Sequence, residues 1–420
     1  MTPAARVQAA IEILEALENT NQAADRFIRD WFRARRYAGS RDRAAIGERV
    51  FTVMRHRASL AWRMQSESPR ALVIASLLAD SSETAAVEAL FGAAGYGPAP
   101  LNISERAAII SPPTEPPPLR VEGEFPAFLE AELARGFGDR LLDEMRAMLQ
   151  RAPIDLRVNT LKATRDAVLQ ELNNAGFAVA LAPYAPCGIR LIEREKASRL
   201  RAARAFLEGR FEFQDESAQV AALLCAAKPG ERILDIAAGA GGKALALAAE
   251  MNNEGLIVAR DNDATRLAQL APRVARAGVT IIQEQLAGAE PPKGAFDAVF
   301  VDAPCSGSGA WRRQPEQKWR LTAERLTGLQ KLQDHLLDQA VHAGSGRIVY
   351  ATCSILMCEN EDRIDSFFLR HPEFRIAPAA AIWGERTSTP PPPGTDTFFK
   401  ATPRTTGTDG FFTAVLVRVA

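Results

Sequence analysis

The chain of 420 residues has only four histidines, four tyrosines and five cysteines. The cysteines (187, 225, 305, 353, 358) are odd in number and scattered, with no C-x-x-C pair, which argues against a disulfide framework. No cluster of histidines accompanies them, so no metal site is expected. Long apolar runs are also missing. The strongest, around residues 71–79, is too short to cross a bilayer, and the N-terminus lacks a basic start followed by an apolar run and a small-residue cleavage site. A cytoplasmic protein without membrane contact is therefore expected. Fifty-one basic residues balance fifty-one acidic ones, which excludes a uniformly basic polyanion binder but leaves room for a local patch. What is present is ordinary: 47% hydrophobic and 24% charged residues fit a packed soluble chain.

From residue 4 to about residue 94 the only proline is Pro69, and Val7, Ile11, Leu14, Leu17 and later Val50, Val53, Met54 recur at helical spacing. An all-helical N-terminal domain over 1–110 is predicted. Consecutive prolines in Ser111 to Pro118 favour extended backbone, so 111–124 reads as a linker. A helix over 126–149, an alternating strand at 154–161 and a helix over 165–174 imply a small α+β domain over 125–210. Over 211–420, strands at 232–237, 256–260, 280–283, 296–301 and 347–351 alternate with helical stretches, and a last strand lies at 410–419. The expected fold class is α/β, with a mostly parallel, Rossmann-like sheet covered on both faces.

The first of these strands ends at Asp235 and Ile236 and passes through Gly239, Gly241 and Gly242 into a helix near Lys243. Glycines there let backbone approach a ligand at the carboxyl edge of the sheet. The spacing G-x-G-G-K fits neither a dinucleotide fingerprint nor a phosphate P-loop. The second strand ends at Asp261, where a carboxylate can accept both hydroxyls of a ribose, while Asp263 reads as the cap of a helix closed by Gly278. A nucleoside-bearing cofactor without a pyrophosphate fits this pair.

Asp302 and Cys305 follow the fourth strand and Cys353 follows the fifth, so all three reach the same edge. A thiolate is the reactive form of cysteine, and Lys243 or the helix after Met357 is a source of positive potential. Thiolate addition to carbon 6 of cytosine turns the ring into an enamine whose carbon 5 can attack an electrophilic methyl group. A carboxyl group on ring nitrogen 3 stabilises the developing charge, a role that suits Asp302. Cys353 and Cys305 are the candidates for attacking thiol and accessory, and these arguments do not choose between them.

The segments LDIAAGAGGK (234–243), VDAPCSGSGAWRRQPEQKWR (301–320), YATCSILMCENEDRI (350–364) and TDGFFTAVLVR (408–418) resemble successive motifs of the RsmB/Sun and NOP/Sun RNA cytosine-5 methyltransferases. FQDESAQVAALL (213–224) resembles the run before the first motif, and PIDLRVNTLK (153–162) the small, RRM-like domain of that family. Residues 29–60 resemble the NusB-like domain of its bacterial RsmB branch. The resemblance implies S-adenosylmethionine as methyl donor and 5-methylcytosine in RNA as product, with ribosomal RNA of the small subunit as the expected substrate. It makes Cys353 the nucleophile, Cys305 the group that assists release, Asp302 the base contact, Lys243 the first-motif lysine and Asp261 the ribose acid. Donor contacts fall on Asp235, Ala237, Gly239, Gly241, Gly242, Lys243, Asp261, Gln285, Asp302 and Pro304. The chain departs from the usual C-A-A-P-G-G-K at Ala237, Gly239 and Ala240, has Gln285 about where the family has an aspartate, and has Met357 and Cys358 for the usual Pro-Glu.

Between Arg26 and Arg70 twelve arginines face four acids, a local net of +8. Arg33, Arg35, Arg36 and Arg41, interleaved with Trp31, Phe32 and Tyr37, are expected to contact RNA, and Arg312, Arg313, Lys318 and Arg320 to clamp the strand near the site. The target cytosine must be unpaired or flipped out. A monomer is expected. Three other readings are a transfer RNA methyltransferase, a DNA cytosine methyltransferase using a Pro-Cys nucleophile, and a non-catalytic RNA-binding assembly factor that keeps the fold. The Thr-Cys-Ser segment and the helical domain count against the DNA enzyme.

Overall fold

A computed structural model describes residues 1–81, 83–93, 95–288, 295–344 and 346–419 of the chain. It divides into two compact units, the first made of Met1–Gln150 with Trp311–Leu321 and the second of Arg151–Ala310 with Thr322–Ala420.

The first unit is helical, as the periodicity predicts. Helices Pro3–Glu18, Ser40–Arg55 and Pro69–Asp80 bury Ile11, Ile13, Val50, Val53, Leu72 and Ile74 in one core. Their starts are set locally: Thr2 and Ser68 accept the N–H groups of Ala5 and Ala71, and each is followed by a proline at the first helical position. The predicted linker is only partly one, because Leu119–Glu122 is a helical turn and Val121 and Glu124 are buried. The predicted helix over 126–149 is broken at Gly138, whose φ of +54° interrupts it between Glu130–Phe137 and Leu141–Met148.

The expected clamp needs correction. Trp311–Leu321 packs inside the helical unit. Lys318 is 3% exposed and Arg312 5%. Lys318 Nζ donates to the Arg55 carbonyl at 3.4 Å, and Trp319 Nε1 to that of Met54 at 2.7 Å. Arg320 donates to the carbonyls of Leu17 and Gln22 at 3.1 and 3.0 Å. Burial pushes the Lys318 amine down to about 8 against the attraction of Glu124. Lys318 and Arg320 thus hold the helical unit together, Arg312 is buried, and of the four only Arg313 is largely exposed.

In the second unit, strands β1 (Ile154–Val158), β2 (Val179–Leu181), β3 (Gly188–Leu191) and β4 (Phe211–Phe213) form an antiparallel sheet in the order β2-β3-β1-β4, the small α+β element foreseen. The main sheet contains β5 (Arg232–Ile236), β6 (Leu256–Asp261), β7 (Ile282–Leu286), β8 (Ala298–Asp302), β9 (Arg347–Thr352), β10 (Phe374–Ala377), β11 (Phe399–Ala401) and β12 (Phe411–Arg418). Its order is β10-β12-β9-β8-β5-β6-β7, with β11 paired to β12. β5 to β9 pair parallel with one another, while β12 pairs antiparallel with β9, β10 and β11. Helices Glu216–Leu224 and Gly242–Glu250 cover one face through Val220, Leu224, Leu245 and Leu247. Helices Ala323–His342 and Glu361–Arg370 cover the other through Leu336, Leu337, Ile364 and Phe367. With both faces buried, β8 and β9 are nearly all apolar, the reason they stand out in the sequence. The order reverses beside β5, and at such a switch point the carboxyl ends of the strands open a crevice. Among the described residues, no helix is long and apolar enough to cross a membrane, and no group of three or more His, Cys, Asp or Glu side chains could hold a metal ion.

Arg320→Ala should lower unfolding stability by about 1–3 kcal/mol, because two part-buried carbonyls lose a charged donor. Urea melts check this, with RNA affinity changing less than in Arg36→Ala or Arg41→Ala.

Candidate active site

The turn after β5 forms the floor of the crevice. Ala237, Gly239 and Gly241 have φ of +64°, +58° and +76°. Only the two glycines take that geometry without strain; the alanine stores on the order of 1–2 kcal/mol. A Cβ on Gly241 would lie 2.1 Å from Leu270 Cδ1, so packing as well as dihedral demands glycine there. Gly242 carries neither constraint. The loop is tied down by Gly239 N donating to Asp261 Oδ2 at 2.7 Å and Arg273 donating to the Ala240 carbonyl at 2.6 Å. Asp261 is also held by Asp263 N at 2.8 Å; the single helix expected between Asp263 and Gly278 is two, Ala264–Leu267 capped by Asp263 and Leu270–Ala277 closed by Gly278.

Asp235 ends up fully buried with neither carboxylate oxygen hydrogen-bonded. Burial, then the nearby Asp302 charge, pushes it up to about 8. A buried carboxyl without partners is costly and suits a site completed by a ligand carrying N–H or positive charge. Lys243 Nζ donates to Asp302 Oδ2 at 2.6 Å and lies 5.3 Å from the centre of the Phe411 ring. Burial works against the lysine's charge, but Asp302 outweighs it and holds the amine above its ordinary range.

The two cysteines meet. Cys305 Sγ lies 3.4 Å from Cys353 Sγ, each half-buried. The hydrogen bond to Cys353, then burial, pushes the Cys305 thiol well above its ordinary range. Close backbone approach makes this possible: Gly309 N donates to the Cys353 carbonyl at 2.9 Å, and Gly410 N to the Gly309 carbonyl at 2.9 Å. A Cβ on Gly309 would lie 2.0 Å from the Gly410 carbonyl oxygen. Gly309 and Gly410 are therefore there for backbone contact, whereas Gly307 answers to its φ of +67° alone.

The crevice thus presents a cradle with an orphaned acid, a lysine–aspartate pair and two touching sulfurs. The family model described as "16S rRNA methyltransferase RsmB/F" matches residues 222–417, and "Methyltr_RsmF/B-like, ferredoxin-like domain" matches 125–197. The chain belongs to the RsmB/F methyltransferase family. It is 35% identical over 251 residues to ribosomal RNA small subunit methyltransferase F of Serratia proteamaculans, covering 57% of this chain and 52% of that protein. It is 34% identical over 276 residues to ribosomal RNA small subunit methyltransferase B of Salmonella paratyphi B, covering 64% and 61%. The chain thus spans about half to three-fifths of the length of these curated relatives. The crystal structure of PH0851 is similar over 100% of this chain and 99% of its own, with 25% identity and a TM-score of 0.76. A methyltransferase homolog protein from Pyrococcus horikoshii is similar over 72% and 98%, with 26% identity and a TM-score of 0.59.

Of the sequence-predicted residues in this RsmB/F chain, Cys353, Cys305, Asp302, Lys243, Asp235 and the turn residues Ala237, Gly239, Gly241 and Gly242 gather at the carboxyl edge. Asp261 joins them through Gly239. Gln285 is half-buried on β7, beside Arg260 in register and one residue short of the pairing that Asp261 makes with Leu286. The Pro304 carbonyl is occupied by Gln333 Nε2 at 2.9 Å. In the helical unit Arg33, Arg36, Arg41 and Tyr37 are exposed. Arg33 is paired with Asp30, Arg35 lies 3.9 Å over the Trp31 ring, and Trp31 and Phe32 are core residues. Ser306, Ser308, Ser354 and Glu359, buried under the cysteine loops, lie inside the quoted segments 301–320 and 350–364 but were given no role from the sequence.

Gly241→Ala should cost about 1–3 kcal/mol in a urea melt, from strain and overpacking, while Gly242→Ala stays within about 0.5 kcal/mol.

Proposed function

We propose that this protein transfers a methyl group from S-adenosylmethionine to carbon 5 of an unpaired cytosine in small-subunit ribosomal RNA. The observation that carries the reading is the sulfur pair beside the Lys243–Asp302 pair. One sulfur must attack as thiolate. The attack is assigned to Cys353, the cysteine of the Thr-Cys-Ser segment, on the family resemblance of that segment, a choice the residues alone left open. The Cys353 thiolate adds to carbon 6. The negative charge that builds on the ring needs a proton at nitrogen 3, which Asp302 hands on from Lys243 Nζ, 2.6 Å away, so that the charge is neutralised. Once carbon 5 is methylated, its proton must pass to a base before the Cys353–carbon 6 bond can break and return its electron pair to the Cys353 sulfur; Cys305, at 3.4 Å from Cys353, is the group assigned to take that proton, as thiolate after losing its own to solvent.

The donor supplies an electrophilic methyl group on a sulfonium centre when bound. Residues fitted to hold it are Asp235, whose oxygens lack partners, the backbone of Ala237, Gly239, Gly241 and Gly242, and Asp261 for a ribose. Gln285 can meet an adenine amino group through its side-chain oxygen. Arg33, Arg36 and Arg41 offer exposed charge for phosphates, and the NusB-like reading of residues 1–110 assigns RNA binding to the same surface.

Bisulfite sequencing of total RNA with and without the gene tests the reading. One small-subunit cytosine should become convertible when the gene is lost. A change confined to transfer RNA would move the substrate there, and no change, together with no donor binding in calorimetry, would point to an assembly factor. At the protein level, alkylation at pH 8 should label Cys353 ahead of Cys305; the reverse order would contradict the assignment.

A further inference from the structure

We propose that Glu359 is a positioning residue that fastens the Cys305 loop to the Cys353 loop, and that the contact between the two sulfurs depends on it. The carboxylate is completely buried. It accepts from Ser306 N at 2.8 Å, Ser306 Oγ at 2.5 Å, Ser354 Oγ at 2.6 Å and Gln333 Nε2 at 3.0 Å. Ser306 directly follows Cys305 and Ser354 directly follows Cys353, so one acid holds the residue next to each sulfur. Gln333 also donates to the Pro304 carbonyl, which fixes Cys305 from its other side. Ser308 closes the cluster, 2.9 Å from Ser354 Oγ and accepting from Ile355 N at 2.9 Å. Asn360, by contrast, binds only within the Cys353 loop, accepting from Thr352 Oγ1 and donating to the Ser354 carbonyl.

A buried carboxylate persists only when its lone pairs are filled, and here donors from both loops fill them. Each donor lies within 3.0 Å, so a shift of either loop would strand buried charge. The acid also has to be an acid. An amide of the same shape would turn one acceptor into a donor facing donors. Glu359 makes no hydrogen bond to either sulfur; it positions them through the serines, and its charge adds to the Cys353 contact and burial that hold the Cys305 thiol up.

The catalytic consequence rests on the cysteine roles proposed above; the geometric claim does not. Dibromobimane, which fluoresces once both its arms have alkylated thiols, should bridge Cys305 and Cys353 in the full chain, the bridge being located by peptide mass. Glu359→Gln should bridge roughly tenfold more slowly, and Ser306→Ala, which removes one donor and no charge, by an intermediate factor. With RNA and methyl donor, Glu359→Gln should lose roughly 10- to 100-fold in kcat with KM for RNA little changed, and should accumulate the covalent RNA adduct expected of Cys305→Ala. Wild-type bridging rates in Glu359→Gln would overturn the proposal, as would absence of an adduct there while Cys305→Ala traps one. If Glu359→Gln does not fold, Ser306→Ala decides, wild-type bridging counting against. If Cys305→Ala itself traps nothing, the cysteine roles fail and the bridging rates still judge Glu359.

Discussion

Two sulfur atoms held 3.4 Å apart, beyond the ends of adjacent parallel strands, are the constraint around which the second unit is organised. Neighbouring strands run about 4.8 Å apart, so side chains from two strand ends meet only if the loops beyond them turn toward each other. Several features do this turning. Gly309 and Gly410 remove the Cβ atoms that would hold the backbones apart, and Glu359 draws Ser306 and Ser354 together from beneath. The Lys243–Asp302 pair joins the start of helix Gly242–Glu250 to the end of β8. Chemistry and fold are linked through the same few residues: the Gly-rich turn that leads into this helix also orients the lysine that fixes Asp302.

Much of this was legible in the sequence for one physical reason. β5, β6, β8 and β9 are buried on both faces and so read as compact apolar runs, and the residue that follows each run must lie at the sheet's carboxyl edge. That alone brings Asp235, Asp261, Asp302, Cys305 and Cys353 together. Short edge elements escaped, since β10 has four residues and β11 three, too few for a periodicity to show. Glu359 escaped for a different reason. Its partners lie 53, 26 and 5 residues away, and no local pattern reveals which buried acid will gather them.

The basic segment after the Pro-Cys element shows how charge misleads. Arginine and lysine bind phosphate oxygens and main-chain carbonyls with the same donors, so a short basic stretch looks alike whether it serves a ligand or the fold. In Trp311–Leu321 the carbonyls of Leu17, Gln22 and Arg55 take those donors. The arginine-rich 26–70 stretch is reduced in the same way. Arg57, Arg49 and Arg70 pair with Glu18, Asp80 and Glu105, acids outside the stretch. The positive charge left facing solvent is smaller than the count of arginines implies, and Arg26, Arg36, Arg41 and Arg43 are its exposed members.

The central claim is that of two touching sulfurs Cys353 bonds to the base. The most direct measurement is peptide mapping of the covalent complex formed with the methyl donor and RNA carrying 5-fluorocytidine at the target position, since fluorine at carbon 5 blocks the proton loss needed for release. The account predicts a nucleotide-bearing peptide that contains Cys353; a nucleotide on Cys305 instead would contradict it.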